Sequence, residues 1–372
     1  MFLALEDILN DTQYSIDLPS KKSEKWHLCN INKFLDQHYT LIEKREKDTF
    51  IEPKEGFWIY MLDGEYIKSN LPQSVKSESF KKALKVKNNP FSYLAATHAI
   101  SRLEFVFSEA IKLEVYVHFS KESFLTSAFN IIVKEGVNVD INLSFKAGEK
   151  SFITHNSYVE LYPRAVLNLT QIQNFDPEAI FISQNSLLLH EHALCKSFSF
   201  LYKGQQLQNF IEADLGFKSE IDVSSLLLGN ERQKQMFSCD ITHKADKSES
   251  KVRSKQVVRD SATAIFDATT CIEKDTKGTV AYQSNQALLL DEKAQVHAKP
   301  HLEIYSDDLT ASHGSTVGEL NEQAISYIVS RGISETKARE ILVEAFMNEL
   351  LDEVNPQTQT KIRKLIGGSD EK

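Results

Sequence analysis

Alternating apolar and polar residues dominate the middle of the chain, from about residue 104 to residue 311. Between residues 137 and 145 every second residue is apolar: Val137, Val139, Ile141, Leu143 and Phe145. Because successive side chains of a strand point to opposite faces, this spacing predicts a strand with one buried face. Similar segments at 158–161, 165–169 and 221–227, separated by short polar breaks, extend the predicted β structure through this region.

The connections between these strands favour a solenoid over a sandwich. The whole chain contains 13 glycines, whereas a sandwich or barrel with tight hairpins places glycine at many of its turns. Strands stacked as successive rungs of a β-helix need only short corners. Since no fixed repeat length is visible, the pattern by itself predicts an all-β fold of the solenoid type.

Both ends of the chain differ from this middle region. Residues 1–90 read as a mixed, largely helical domain, with one strand at 57–61 that ends in the turn signal Asp63-Gly64. The sequence Asn-Asn-Pro at 88–90 marks a boundary. We therefore predict an N-terminal domain at 1–90, a β-helix core at 91–315 and a C-terminal helical domain at 316–372.

The C-terminal domain carries the signals of two successive helices. Asn321 and Ser334 are suitable N-caps, Gly332 suits the left-handed residue between the helices, and Pro356 is expected to stop the second one. Apolar residues of the second helix recur mostly at three- and four-residue steps: Ala338, Ile341, Leu342, Ala345, Phe346 and Leu350. This stripe predicts either a face that binds a partner or a face packed on the preceding helix, with the opposite face left for the partner.

Composition narrows the class of partner and the compartment. The formal net charge is −9, which argues against a nucleic-acid-binding protein, because such proteins normally carry a basic face. No apolar run approaches the roughly 18 residues that cross a bilayer. The first eleven residues are acidic and amphipathic and do not resemble a secretory signal. We expect a cytoplasmic protein that binds neither nucleic acid nor membrane.

The cysteines and short motifs do not indicate an enzyme. Cys29, Cys195, Cys239 and Cys271 are scattered, whereas a chain that holds a metal cluster by itself groups its thiolates. Residues 147–151 approach a nucleotide-binding loop, but Glu149 stands where a glycine should precede the lysine. His190 and His192 would share one face of a strand, either as a metal chelate or as a solvated polar pair.

A β-helix also suggests the carbohydrate-active enzymes that cleave polysaccharides. Those enzymes bring two carboxylates together in one groove, and Asp307-Asp308 is the obvious acidic pair in this sequence. Adjacent residues of a strand point to opposite faces, so this pair is poorly placed to form one site. The class remains an alternative.

An ordered series of motifs near the C-terminal end resembles the SufB/SufD family of iron–sulfur cluster assembly proteins. The segments are 283–290 (QSNQALLL), 299–308 (KPHLEIYSDD), 312–318 (SHGSTVG) and 330–333 (SRGI). Residues 19–26 (PSKKSEKW) are similar to the beginning of SufD proteins, and the middle of the chain matches more loosely. The chain is short for a SufB and lacks grouped cysteines, so the SufD branch fits better.

The resemblance implies a fold and two partners. The fold is a mainly β, right-handed parallel β-helix flanked by N-terminal and C-terminal helical domains. A SufB-like subunit is expected to pair along the β-helix edge near residues 300–315, where an unpaired strand offers a template. A SufC-like ATPase subunit is expected to dock on the C-terminal helices. The implied function is that of a non-enzymatic scaffold in the SufBCD complex.

The resemblance also implies one metal-binding residue, His313, at the interface with SufB. A neutral imidazole is a competent iron ligand, and the implied cargo is a transient iron–sulfur cluster, with no cofactor bound stably by this chain alone. SufD relatives often have Cys-Ser-His here, whereas this chain has Ala311, Ser312 and His313. The alternative for His313 is a turn histidine that hydrogen-bonds its own loop before Gly314.

These observations leave three hypotheses for the function. The first is a SufBCD scaffold subunit, which predicts co-purification with both partners. The second is a β-helix carbohydrate-active enzyme, which predicts close carboxylates in a groove. The third is a solitary SufD-like binding module, which predicts a monomer with a capped solenoid edge.

Overall fold

The computed structural model describes residues 2–4, 38–40, 50–73, 75–79, 91, 95, 99, 102–120, 124–147 and 150–367. Strands account for most of the described residues, which confirms the prediction of a mainly β protein. The prediction that residues 1–90 are largely helical falls mainly outside the described residues. None of the described helices is long and apolar enough to span a lipid bilayer.

Strands make up most of the described elements, and helices follow them. In chain order the strands are β1 (Phe2–Ala4), β2 (His38–Thr40), β3 (Phe57–Leu62), β4 (Glu65–Ser69), β5 (Val75–Ser79), β6 (Arg102–Phe107), β7 (Ile111–Phe119), β8 (Phe124–Val133), β9 (Asn138–Ala147), β10 (Phe152–Leu161), β11 (Val166–Asn174), β12 (Ile180–Leu189), β13 (Leu194–Tyr202), β14 (Gln206–Leu215), β15 (Glu220–Gly229), β16 (Lys234–His243), β17 (Glu249–Val258), β18 (Thr263–Ile272), β19 (Lys277–Leu289), β20 (Gln295–Ile304) and β21 (Asp308–Gly318). The described helices are α1 (Glu322–Ser330), α2 (Glu335–Leu351) and α3 (Pro356–Gly367).

Two long sheets form a parallel β-solenoid of about eight turns. From β6 onward, each strand pairs in parallel with the strand two places further along the chain, so the polypeptide alternates between the sheets. Even-numbered strands β6 to β20, with β5, form the nine-stranded sheet; odd-numbered strands β7 to β21, with β3 and β4, form the ten-stranded sheet. The solenoid prediction is confirmed.

Alternation of side chains builds the interior. In β9 the predicted apolar residues Val139, Ile141, Leu143 and Phe145 are all buried, while Asn138 is exposed. The predicted strand at 57–61 is also confirmed as β3, and it pairs with β7 in the ten-stranded sheet. The solenoid sheet therefore includes residues upstream of 91, while the three domain boundaries themselves remain predictions.

Variable turn length explains why no repeat was visible in the sequence. Hydrogen-bonded interior partners one turn apart are separated by 26 residues for Ser183 and Asn209, and by 30 residues for Asn285 and Ser315. Corners absorb the difference, and many of them contain a non-glycine residue with positive φ, including Arg164, His192, Lys218, Glu231, Lys247 and Asp260. The low glycine content thus reflects left-handed corner residues that are not glycine.

A positive φ strains the backbone of a residue other than glycine, and one corner offers a direct test of this strain. Glu231 has φ of 55°, its side chain is exposed, and its backbone N–H donates to Asp260 Oδ2. A left-handed conformation costs a non-glycine residue roughly 1–2 kcal/mol, which glycine avoids at some cost in unfolded-state entropy. We expect Glu231→Gly to raise the free energy of unfolding by about 0.5–1 kcal/mol, measured by chemical denaturation.

The matched control for this prediction is Glu249→Gly. Glu249 is exposed as well, but it lies in the extended backbone of β17. Glycine there removes strand propensity without relieving strain, so stability should fall by about 0.5–1 kcal/mol. Equal destabilisation by both substitutions would contradict the proposed strain at the corner.

The C-terminal helices begin where the sequence indicated. Asn321 Oδ1 accepts hydrogen bonds from N–H groups of the first turn of α1, and Ser334 Oγ accepts one from Lys337 N. Gly332 between them has φ of 88°. Helix α2 ends at Leu351, before Pro356, which begins a third helix that the sequence had not indicated.

The packing of α2 differs in part from the prediction. Its buried residues are Ala338, Val343, Met347, Leu350 and Leu351. From Val343 onward they pack on outer-face residues of the ten-stranded sheet, among them Phe198, Phe200 and Leu226. Ala345 is exposed. Helix α2 packs against the preceding helix, as predicted, and its C-terminal half also turns apolar residues to the sheet, where a broad apolar surface is available.

Candidate functional site

The solenoid ends at an unpaired rung. Strand β20 is the last strand of the nine-stranded sheet, and β21 is the last strand of the ten-stranded sheet. Among the described strands, β20 pairs only with β18 and β21 only with β19. We call the surface formed by β20 and β21 the open end. An edge strand exposes a row of backbone N–H and C=O groups that a second chain can pair with. Pro300, which cannot donate to a ladder, lies in β20 as expected of an edge strand.

Strand register identifies which side chains of the open end face the interior. In parallel strands, residues paired in register project from the same face. The interior-facing residues of β21 pair with β19, as Ala311–Ala281, His313–Gln283, Ser315–Asn285 and Val317–Ala287. Those of β20 pair with β18, as Val296–Ala264, Ala298–Phe266, Pro300–Ala268, Leu302–Thr270 and Ile304–Ile272. The residues one rung below are buried, whereas those of the open end are half-buried or exposed. The solenoid therefore ends with its interior uncovered.

Large apolar side chains contribute to this uncovered surface. Ile304 and Val317 are each 45% exposed, although both occupy interior-facing positions, and the corner residue Tyr305 is 62% exposed. Exposed large apolar side chains beside unpaired strand edges are typical of a protein–protein interface. The open end thus combines exposed apolar side chains with strand edges that have no further rung among the described residues.

His313 lies in the middle of this surface. It belongs to strand β21, in register with the buried Gln283, and its imidazole is exposed. It is not a turn residue, since β21 continues to Gly318 and Gly314 lies within the strand. That alternative for His313 is wrong. Among the described residues, no hydrogen bond or ion pair is found for the His313 side chain.

A line of polar side chains runs through the apolar interior towards the open end. Gln171, Ser199, Ser225, Ser254, Asn285 and Ser315 stack in register on successive strands of the ten-stranded sheet. We call these six residues the interior polar column. Ser225 Oγ donates to Ser254 Oγ at 2.9 Å, and Asn285 Nδ2 donates to Ser315 Oγ at 3.3 Å.

The interior polar column is linked to polar side chains of the opposite sheet. Asn185 Oδ1 accepts a hydrogen bond from Gln171 Nε2 at 2.7 Å, and Asn209 Nδ2 donates to Ser199 Oγ at 2.8 Å. Gln283, beside the column, donates through Nε2 to Thr270 Oγ1 at 2.7 Å and to His301 O at 3.1 Å. The sequence analysis did not identify these residues. A signal was visible at Ser225, where a serine occupies an interior-facing position between apolar residues of the same strand.

The described cysteines do not surround His313. Cys195 and Cys239 are buried, Cys271 is half-buried, and Cys29 lies outside the described residues. Burial, reinforced by Asp222, raises the pKa of Cys195 to about 12, which disfavours the thiolate that metals bind. Burial, then Glu303 and Glu273, also raises the pKa of Cys271. Within the described ranges, no three His, Cys, Asp or Glu side chains form a metal-binding group.

Other residues that the sequence singled out are not brought together. His190 and His192 lie at a corner rather than on a strand; His190 Nε2 lies 2.8 Å from Glu160 Oε1, and His192 has φ of 57°. They therefore do not form the strand chelate that was considered. Asp307 occupies the corner before β21, and Asp308 begins that strand, both exposed.

Ion pairs attach the C-terminal helices to the outer face of the ten-stranded sheet. Arg253 on β17 binds Asp222 at 3.0 Å and also Glu353, which follows α2, while Lys255 pairs with Glu349 of α2. The Arg253 guanidinium holds the pKa of Glu353 below its usual range. A cavity of about 490 Å³ lies between sheet and helices and is lined in part by Asp222, Arg253 and Glu353.

A second polar cluster lies under α3. Lys361 Nζ donates to Ser144 Oγ, and Asn142 Nδ2 donates to Glu114 Oε1 at 2.6 Å. Burial lowers the pKa of Lys361 and raises that of Glu114, because both charged forms lose solvation. Together with the ion pairs, these contacts fix α2 and α3 against the outer face of the ten-stranded sheet.

The fold defines a parallel β-solenoid protein whose terminal rung is exposed. A model of the SufBD core domain, of SUF-system iron–sulfur cluster assembly, matches residues 116–346. The chain belongs to this family. It is 23% identical to the iron–sulfur cluster assembly protein SufD of Escherichia coli over 381 residues, which cover 90% of this chain and 85% of the relative.

Shorter matches point to the same family. SufD of Bacillus subtilis is 32% identical over 133 residues, covering 36% of this chain and 30% of the relative. A SufBD family protein of Pyrococcus horikoshii is 34% identical over 114 residues, covering 30% of this chain and 25% of the relative. Two of these three relatives are SufD proteins, in agreement with the SufD branch indicated by the sequence.

Proposed function

We propose that this protein is a cytoplasmic, non-enzymatic scaffold subunit of a SufBCD complex for iron–sulfur cluster assembly. The observation that carries the proposal is the open end, where interior-facing side chains, His313 among them, remain uncovered. Exposed interior-facing apolar side chains lower the solubility of a protein unless a partner covers them. Family membership supplies the functional context in which that partner acts.

The partner at the open end is a SufB-like subunit. Strands β20 and β21 supply free backbone edges, and Leu302, Ile304 and Val317 supply interior-facing apolar contacts. A second solenoid that presents its own terminal strands would satisfy both requirements at once, through strand pairing and apolar burial. This matches the edge near residues 300–315 that the sequence resemblance implied.

The partner at the C-terminal helices is a SufC-like ATPase subunit. The apolar face of α2 is already covered by the ten-stranded sheet, so docking falls to α1 and the turn after it. There Tyr327 is 62% exposed, Val329 40% and Ile333 36%, and the Arg331 guanidinium lies over the Tyr327 ring. Exposed tyrosine and arginine beside apolar residues are typical of interface hot spots.

His313 is the residue we propose to contact the nascent cluster. Its exposed imidazole offers one nitrogen ligand at the centre of the surface that the SufB-like subunit covers. Ala311, which shares the interior-facing side of β21, cannot ligate metal. The remaining ligands would come from the partner, and an incomplete shell of this kind suits a cargo cluster that must be released.

The carbohydrate-active alternative requires a carboxyl group that can donate a proton inside a groove. Asp222 and Glu353 both line the cavity beneath the helices, but both bind Arg253. Because Arg253 lowers the pKa of Glu353, this carboxyl is a poor general acid. No observation on the described residues favours this second function.

Co-expression with SufB-like and SufC-like subunits tests the proposal. The complex is purified without oxygen and assayed for iron and sulfide, beside His313→Ala and His301→Ala. His301 is exposed on the same terminal rung but faces outward, since its pairing partner Thr269 neighbours the interior-facing Thr270. We expect a stable complex for all three chains and about tenfold less iron for His313→Ala alone, comparable with losses known for metal-site substitutions.

Each other outcome has a definite meaning. A complex that forms but loads iron equally in wild type and His313→Ala keeps the scaffold and removes the ligand role of His313. Failure of the wild-type chain to bind either subunit sinks the proposal and favours the solitary binding module. Equal loss in both histidine variants would show that the effect is not specific to the interior face.

A further inference from the structure

The amide of Gln283 is held directly beneath His313 with one unused acceptor. Gln283 is 3% exposed and pairs in register with His313 on the interior face. Its Nε2 donates to Thr270 Oγ1 at 2.7 Å and to His301 O at 3.1 Å. These two bonds use both amide protons and thereby fix which way the amide is oriented.

The carbonyl oxygen of the same amide has no partner among the described residues. Gln283 Oε1 is buried and accepts no hydrogen bond. A buried acceptor without a donor loses the free energy of its hydration, so such atoms are uncommon and call for an explanation. The neighbouring pair on the same strands shows that side chains reach each other across this rung, because Asn285 Nδ2 donates to Ser315 Oγ.

We propose that Gln283 is a positioning residue for His313: when the exposed imidazole rotates towards the interior, Gln283 Oε1 accepts a hydrogen bond from His313 Nδ1–H, so that Nε2 is left unprotonated at the open end. The inference rests on the proposed role of His313 as a cluster ligand. A histidine that ligates metal through one nitrogen commonly donates the other N–H to an acceptor, which fixes both tautomer and ring orientation.

This arrangement explains a polar residue in an otherwise apolar setting. The positions below Gln283 in the same interior line are Val252 on β17 and Val223 on β15. A valine at position 283 would bury equally well but would leave His313 free to rotate and to choose either tautomer. No local motif indicates this role of Gln283, because it depends on the pairing of two residues that lie 30 positions apart in the sequence.

The test compares Gln283→Met with Gln283→Glu in the full chain. Both substitutions remove the two Nε2 donor bonds, but only glutamate keeps an acceptor oxygen at the same reach. Histidine-selective ¹⁵N NMR at about pH 8, well above the ordinary imidazole pKa of about 6.5, reports the neutral tautomer, with His313→Ala assigning the signal. We expect the Nδ1–H form of His313 to predominate in wild type and Gln283→Glu and to become the minor form in Gln283→Met.

Gln256→Met is the matched control for the loss of a buried amide. Gln256 faces the interior on β17, is fully buried, and has no partner for its amide among the described residues, but it pairs with Ala287 rather than lying beneath His313. Its substitution should leave the His313 tautomer unchanged. A tautomer that is the same in wild type and Gln283→Met would overturn the inference, as would an equal shift in Gln256→Met.

The same variants in the co-expressed complex separate this inference from the proposed function. We expect Gln283→Met to retain about tenfold less iron, and Gln283→Glu to retain most of it. If the tautomer shifts but His313→Ala loads iron normally, the hydrogen bond stands and the ligand role fails. If His313→Ala loses iron while Gln283→Met changes neither tautomer nor iron, the ligand role stands and the positioning role fails.

Discussion

Ile304→Asp is expected to abolish binding of a SufB-like subunit without lowering the stability of the isolated chain. Ile304 faces the interior on β20 but is 45% exposed, because no further rung covers it. In the isolated chain the aspartate therefore remains in water. In the complex it would be buried without a partner charge, at a cost of several kcal/mol, which lowers affinity by about 100-fold or more.

Titration calorimetry of the purified subunits and thermal unfolding of the isolated chain measure the two quantities. Phe217→Asp provides the matched control: Phe217 is a corner residue before β15, 36% exposed and distant in sequence from the open end. This variant should bind normally. Normal binding by Ile304→Asp would show that the partner does not cover the open end.

Phe181→Ala is expected to lower the free energy of unfolding by about 3–5 kcal/mol. Phe181 is fully buried on β12; its ring stacks on Phe175 at 4.7 Å and is tilted against Phe145 at 5.1 Å. Rungs above and below hold the surrounding side chains in place, so the space left by the ring cannot collapse easily. The loss should appear in chemical denaturation of the isolated chain.

Phe217→Ala is the control for this substitution, since its partly exposed ring leaves no closed cavity, and the expected loss is below about 1.5 kcal/mol. A comparably small loss for Phe181→Ala would mean that the interior relaxes around the missing ring. Ile304 and Phe181 both face the interior of the solenoid, but Phe181 has rungs on both sides whereas Ile304 lies on the last described rung. One should therefore affect binding and the other stability.

Local patterns predicted the elements well where one face is buried. The alternation at 137–145 identified β9, the segment at 57–61 identified β3, and Asn321 and Ser334 correctly marked the starts of two helices. Each of these signals depends on a few neighbouring residues whose preference is intrinsic, such as a side-chain acceptor for a first-turn N–H. Family motifs near the C-terminal end correctly indicated the SufBD family.

Predictions failed where the outcome depends on contacts with residues distant in the sequence. The stripe on α2 was expected to face the preceding helix. Helix α2 does pack against that helix, but from Val343 onward its buried residues face the sheet, and Ala345 is exposed. The third helix, α3, was missed because its apolar residues are few and Pro356 was read only as a stop. For His190 and His192 a shared strand face was considered, whereas a left-handed backbone at His192 makes a corner.

The sequence by itself determined that the chain forms interior-facing strands and that it resembles the SufB/SufD family, because side-chain alternation and motifs are local properties. Only the tertiary structure decided that His313 faces the interior, lies above Gln283 and is left uncovered. That outcome depends on the register between strands and on the number of rungs. Turn lengths vary from 26 to 32 residues between paired positions. Therefore no local pattern specifies which residues stack, and the assembled solenoid does.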